Sequence, residues 1–168
     1  MKRFFVDAES DGLYGGFLSV AAMVTDEKGV ELDRFYASVK VLFEQIETEW
    51  VKENVYPDLE NADYRFDNES EMLEAFWMFW IKHRTDSICI SYVQYPVESR
   101  LFTRCVMTDT AEREFLAPFP IYDLSTLLVV KGFSYDEDIQ ALSGMCLSKH
   151  DAMNDVKMMA AVWNALYQ

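Results

Sequence analysis

The sequence predicts an α/β domain built on a mixed sheet. Three observations carry this expectation. The chain opens with three apolar, partly β-branched runs separated by glycine-containing turns, the pattern of antiparallel strands. Helical and strand patterns then alternate to the end. The 168 residues are 51% hydrophobic and 15% aromatic, enough for one proper core.

Phe4 to Glu9 reads as the first strand, and Gly12, Gly15 and Gly16 mark the turn after it. "FLSVAAMVTD" follows as a second strand, "DEKG" as a hairpin turn and "VELDRFYASV" as a third strand. "EQIETEWVKENVYPDL" has a helical pattern that stops at Pro57. "NESEMLEAFWMFWIKH" is a clearer helix, capped by Asn68 or Ser70, with acids in its first turn. Its aromatics Phe76, Trp77, Phe79 and Trp80 are read as core packing. "DSICISYVQ" is a buried strand, and Pro96 suits the first position of a helix through "VESRLFTRCVM". "PIYDLSTLLVV" gives a short strand and a helix. The last helix is expected to begin near Ser148, where "SKHD" resembles a capping box. Ala152, Val156, Met159, Ala160, Trp163 and Leu166 follow at helical spacing. No repeat, low-complexity tract or Pro/Gly-rich linker divides the chain, so residues 1–168 are read as one domain.

The net charge of −14 is a poor footprint for long duplex nucleic acid, which normally meets a basic stripe. It leaves room for a short anionic substrate approached through bound divalent metal. Runs such as "SYDEDIQ" are read as solvated surface. Cys89, Cys105 and Cys146 are widely spaced, with no CxxC. They suit reduced core thiols in a cytoplasmic protein. The apolar run at the N-terminus ends at Asp7, too early for a signal peptide, and no segment approaches the length of a membrane span.

The run "FFVDAESDGLYGG" carries the functional signal. On a strand Asp7 and Glu9 point the same way, where like charges repel. Solvent, a basic neighbour or a cation has to compensate them. Two more acids lie near helix starts, Glu98 after the strand "DSICISYVQ" and Asp155 five residues after His150. Each alone also has an explanation in the helix dipole.

Together these residues resemble the DEDDh family of 3′–5′ exonucleases, which includes oligoribonuclease, ribonuclease T and the proofreading subunit of DNA polymerase III. Its first motif, D-x-E followed shortly by Gly-Leu, appears as Asp7-Ala8-Glu9-Ser10-Asp11-Gly12-Leu13. Its third, H-x-A-x-x-D, appears as His150-Asp151-Ala152-Met153-Asn154-Asp155. Asp123 resembles the acid that often follows the strand between the second and third motifs. The second motif departs from the usual N-x-x-F-D. Here Gln94-Tyr95-Pro96-Val97-Glu98 stands in its place, with Gln for Asn and Glu for Asp, each one methylene longer.

The resemblance implies a ribonuclease-H-like fold, with a five-stranded mixed sheet flanked by helices. It implies two Mg²⁺ or Mn²⁺ ions held by Asp7, Glu9, Glu98 and Asp155, with Asp7 bridging and His150 as general base. Hard cations of this kind prefer carboxylate ligands. His83, in "IKHR", is read instead as a surface residue. Substrate contacts fall by analogy on Gly12, Leu13, Tyr14 and Phe17. Tyr14 and Phe17 are placed to stack on a base, or equally to serve as turn and core residues. Arg100 and Arg104 are either phosphate contacts or a solvated helix face. The leading expectation is an exoribonuclease acting on the 3′ end of a short single strand and releasing 5′-mononucleotides. A catalytically weakened member that binds nucleic acid ends or a protein is one alternative, and a DNA-directed proofreading or repair exonuclease is another. Homodimers are common in the family.

Overall fold

The computed structural model describes residues 1–134 and 138–166. Strands β1 (Lys2–Ser10), β2 (Phe17–Thr25) and β3 (Glu31–Val39) come first. Helix α1 (Glu49–Asn54), strand β4 (Tyr64–Phe66), helix α2 (Glu69–His83) and strand β5 (Ser87–Ser91) follow. Helices α3 (Val97–Thr108) and α4 (Thr110–Arg113) lead to strand β6 (Ile121–Asp123). Helices α5 (Leu124–Val130), α6 (Ile139–Ser143) and α7 (Ala152–Leu166) complete the order.

Among the described residues the sheet has six strands, in the order β4-β3-β2-β1-β5-β6. The first three are antiparallel neighbours, whereas β5 runs parallel to β1 and β6 parallel to β5. This is the expected ribonuclease-H-like α/β arrangement with one strand more than the five anticipated. The extra strand is β4, three residues paired parallel to the end of β3. Its sequence, Tyr-Arg-Phe, is too short to show a period.

β1 lies at the centre and its alternation sorts the core into two layers. Phe4, Val6 and Ala8 face the layer that holds Phe76, Trp80, Leu101 and Phe102 of α2 and α3. Phe5 faces the other layer, with Val156, Met159, Ala160 and Trp163 of α7. The Phe4 ring meets Trp80 edge-on at 5.0 Å. Burying side chains of this size contributes about 1.5–3 kcal/mol each. The aromatics of α2 are core residues, as expected.

Several sequence expectations are corrected. The helical pattern over 44–59 breaks into a 3₁₀ turn at Phe43–Gln45, the short α1, and a second 3₁₀ turn at Tyr56–Asn61 that contains Pro57. Pro96 is the residue before α3 and not its first. Helix α7 starts at Ala152. Its cap is Asp151, whose Oδ1 accepts from the N–H groups of Met153 and Asn154, both at 3.1 Å. Ser148 instead accepts from the Asn154 side chain. Its hydroxyl is thereby spent on a side chain and caps no backbone. His83 is not a free surface residue. Its Nε2 lies 2.7 Å from Asp33 Oδ2 and its ring packs on Phe79. Cys89 and Cys105 are core thiols, but Cys146 is exposed. The acidic run "SYDEDIQ" falls partly on residues 135–137, outside the described residues. Among the described residues, no helix is long and apolar enough to cross a membrane.

Candidate active site

The site forms where the central strand outlasts its parallel neighbour. β1 pairs with β5 from Lys2 to Phe5 and then continues alone on that side. On the other side it stays paired with β2, in register to Glu9↔Ser19, and slips at Ser10. Asp7 and Glu9 follow Phe5 on one face, as period two requires. The unpaired N–H of Ala8 donates to Glu98 Oε1 at 3.3 Å. Glu98 enters from the first turn of α3 and is only 5% exposed. Asp155 arrives from the first turn of α7.

His150 stands on the turn before α7 with φ of 65°, in the left-handed region where few residues other than glycine settle. That turn brings its backbone N–H to Asp155 Oδ2 at 3.0 Å. Its Nδ1 lies 4.0 Å from Glu9 Oε1. Glu9, His150 and Asp155 each offer a donor atom within 4.8 Å of the others. Asp7, Glu9, Glu98, His150 and Asp155 all line one cavity of about 620 Å³. The structure therefore brings together all five residues that the sequence singled out for chemistry.

Electrostatics set this cluster apart from an ordinary acidic surface. Burial, then the charges of Glu9, Glu98 and Asp155, hold the Asp7 carboxyl well above the usual carboxylate range. Burial and the Asp155 and Glu98 charges push Glu9 up to about 9. Burial raises Glu98 to about 7 against the opposing hydrogen bond from Ala8. Asp155 rises to about 6, mainly by burial, despite the His150 N–H. Burial and the neighbouring Lys149 lower His150. Among the described residues none of the four acids is ion-paired to a lysine or arginine. Four converging carboxylates with unrelieved repulsion fit a hard divalent cation, which takes oxygen ligands and neutralises them.

The other predicted residues divide. Leu13 and Tyr95 line the cavity, and Leu13, Tyr14 and Tyr95 are exposed at 60%, 69% and 67%. Tyr95, beside it, raises the pKa of the Tyr14 hydroxyl. Gly12, at φ 71°, shapes the loop and does not line the cavity, and its carbonyl accepts from Ser10 Oγ at 2.7 Å. Gly15 has no room for a Cβ, which would collide with the Asp11 carbonyl. Phe17 is corrected. It is 1% exposed, belongs to the core, and can stack on no base.

Arg100 is corrected too, whereas Arg104 lies exposed on its helix, one of the two places expected for it. Arg100 Nη1 donates to the carbonyls of Tyr14 at 3.0 Å and Gly15 at 2.6 Å, and its guanidinium sits over the Phe17 ring. Arg104 pairs with Glu69 at 2.8 Å. Gln94 does not reach the cavity, because its Oε1 accepts from Ser99 Oγ at 2.8 Å. Asp123 also stays out. It accepts from the backbone N–H of Gln94 and of Thr126 and from Ser125 Oγ, which joins β6 to α5.

Trp50 escaped the sequence reading. Its ring meets His150 edge-on at 4.6 Å, and it stays 49% exposed. The link that places it runs through Asp11, whose carboxylate accepts from the N–H groups of Glu47 at 2.7 Å and Thr48 at 2.9 Å. Nothing in the spacing of "ETEWVKEN" signals that contact.

Fold and cavity together define a ribonuclease-H-like α/β domain with a carboxylate and imidazole cluster at the end of its central strand. No family model matches the chain, and no curated protein does. Among solved structures it is similar to exonuclease I. It aligns over 97% of its length with the zinc-ion-bound form of the E. coli exonuclease I–single-stranded DNA complex, at a TM-score of 0.73 and 14% identity. It aligns over 98% with exonuclease I from Methylocaldum szegediense, at 0.73 and 16%. A third match, over 99%, is E. coli exonuclease I in complex with a dT13 oligonucleotide, at 0.67 and 14%. The chain spans 39%, 40% and 41% of those three chains. At such identities the likeness establishes the fold.

Proposed function

We propose that this chain is a metal-dependent 3′–5′ exonuclease that removes 5′-mononucleotides from single-stranded nucleic acid. The convergence of Asp7, Glu9, Glu98, Asp155 and His150 on one cavity carries this reading. Asp7, Glu9, Glu98 and Asp155 would hold Mg²⁺ or Mn²⁺, in the two-ion stoichiometry implied by the resemblance. Such ions supply charge neutralisation at the scissile phosphate and lower the pKa of water. The imidazole of His150 takes the proton of the attacking water. The water oxygen bonds to phosphorus as the bond to the 3′ oxygen of the preceding nucleotide breaks, and that oxygen takes a proton from solvent to become a 3′-hydroxyl. Leu13, Tyr14 and Tyr95, exposed beside the cavity, receive the terminal nucleotide.

The acidic chain favours a short strand, and RNA is the first substrate reading, carried by the sequence motifs. The complexes of the exonuclease I neighbours with single-stranded DNA and dT13 support DNA as a second reading. A reading as an end-binding protein of weakened activity draws on the altered second motif, since Gln94 turns to Ser99 and away from the cavity.

End-labelled RNA and DNA strands of one sequence, incubated with Mg²⁺ or Mn²⁺ and again with chelator, test all three. Metal-dependent release of 5′-mononucleotides from the 3′ end is expected. Binding without release favours the end-binding protein, and neither binding nor release overturns the proposal.

A further inference from the structure

The cavity has an electrostatic difficulty. A strand that delivers its 3′ end must bring phosphates past acidic side chains, on a chain of net charge −14. The arginines nearest in sequence to Glu98 do not line the cavity: Arg100 Nη1 donates to loop carbonyls, and Arg104 pairs with Glu69. Among the described residues, Lys149 is the one lysine or arginine that lines the cavity. It adjoins His150, whose ring faces Glu9. Its ammonium is paired with Asp138, also a lining residue, at 3.0 Å.

That pair is weak by construction. Its side chains are 43% and 48% exposed, so water screens their attraction. Asp138 has other commitments that survive the loss of Lys149. It caps α6 by accepting from the Gln140 N–H at 2.9 Å through Oδ1, while Lys149 uses Oδ2. A lysine side chain has four rotatable carbons and three donors, so its ammonium can leave one anion for another nearby without moving the backbone.

We propose that Lys149 is a phosphate-binding residue, which exchanges Asp138 for a phosphate of the incoming strand at the mouth of the cavity. Asp138 holds the ammonium in place until the strand arrives and competes with the strand for it. This rests on the exonuclease reading above and adds to it the residue that admits the anionic backbone.

The competition gives the two partners opposite effects. Lys149→Ala should raise KM for a single-stranded oligonucleotide about tenfold, the usual size for a charge-assisted hydrogen bond. Asp138→Asn should lower KM severalfold, because it frees the lysine. Lys149→Arg should restore most of the loss. Anisotropy of a labelled oligonucleotide in chelator supplies a readout independent of hydrolysis. There the slope of log K against log salt should fall by about 0.7 in Lys149→Ala, the single-strand value for one phosphate contact. If Asp138→Asn and Lys149→Ala weaken binding alike, the pair is only a tether for the His150 turn and the proposal is overturned. Unchanged KM and slope in Lys149→Ala overturn it as well. If the wild-type chain neither binds nor hydrolyses the oligonucleotide, the exonuclease reading falls and takes this proposal with it. If the wild-type chain hydrolyses and the variants fail their signs, this proposal falls alone.

Discussion

The backbone N–H of His150 donates to Oδ2 of Asp155 at 3.0 Å. The two residues are five apart in sequence, and the left-handed turn at His150 closes the distance. The residue expected to move a proton is therefore fixed to one expected to hold metal. The contact is made by backbone, which leaves the imidazole free to face Glu9. His150→Ala should lower the turnover rate by roughly 10²–10⁴-fold, the range for a general base. Because the N–H remains, Asp155 should keep its place. Mn²⁺ affinity, measured by calorimetry, should change little.

Asp7→Asn should behave in the opposite way. It removes charge from the centre of the cluster, where Glu9, Glu98 and Asp155 all repel it. Metal-dependent hydrolysis should fall by about 100-fold or more, since ion-mediated stabilisation of the transition state is worth several kcal/mol. In chelator the variant should melt above the wild type, because a destabilising charge is gone. Loss of activity with a lowered Tm would point to a packing defect instead.

Glu98→Asp tests the altered second motif. The longer side chain reaches the Ala8 N–H at 3.3 Å from α3. A shorter one falls about one bond short and leaves a buried donor unmet, at a cost of about 1–3 kcal/mol. Single-turnover cleavage at saturating Mg²⁺ should slow in Glu98→Asp and slow further in Glu98→Gln, which lacks the charge. A faster Glu98→Asp enzyme would mark the native residue as an impairment.

Asp123 gives a stability prediction with a defined pH sign. Burial raises its pKa, but hydrogen bonds from Ser125, Thr126 and Gln94 outweigh it and leave the group below the usual value. A folded pKa below the unfolded one means that the stabilisation is fully present above about pH 4 and is lost as pH falls through the folded value. The carboxylate is only partly buried, so screening keeps this to about 0.5–1 kcal/mol, the size of an exposed cap. Urea midpoints of wild type and Asp123→Asn should differ at pH 7 and converge near pH 3.

Arg100→Ala should loosen the loop that carries Leu13 and Tyr14, whose carbonyl and that of Gly15 it holds. Hydrogen bonds from a charged donor make this worth about 1.5–3 kcal/mol. KM for an oligonucleotide should rise more than turnover falls. Equal losses in both would place Arg100 closer to the chemistry.

Much of the site was legible because its signals are local. Asp7 and Glu9 share a strand, so period two fixes their common face. His150 and Asp155 are set by one turn. The misses have physical causes. Phe17 sits next to a glycine loop but begins β2, and a strand start can turn inward as easily as outward. Arg100 has the composition of a phosphate contact, yet its partners are carbonyls 85 and 86 residues away in sequence. Trp50 meets His150 across 100 residues by way of Asp11, and no periodicity encodes such a contact. Strand β4 pairs over only three residues at the sheet edge, two of them exposed, so no apolar run marks it.

The alternation along β1 has a consequence for how the core and the acids depend on each other. Phe4, Val6 and Ala8 pack in one layer and Phe5 in the other, while Asp7 and Glu9 emerge on Phe5's side. If β1 slid by a single residue against β2, both carboxylates would be driven under α2 and α3, and Val6 and Ala8 would face the cavity. That chain would lose its core in the same step as its acids. The register that buries the core is thus the same one that presents the acids, and neither can be lost without the other.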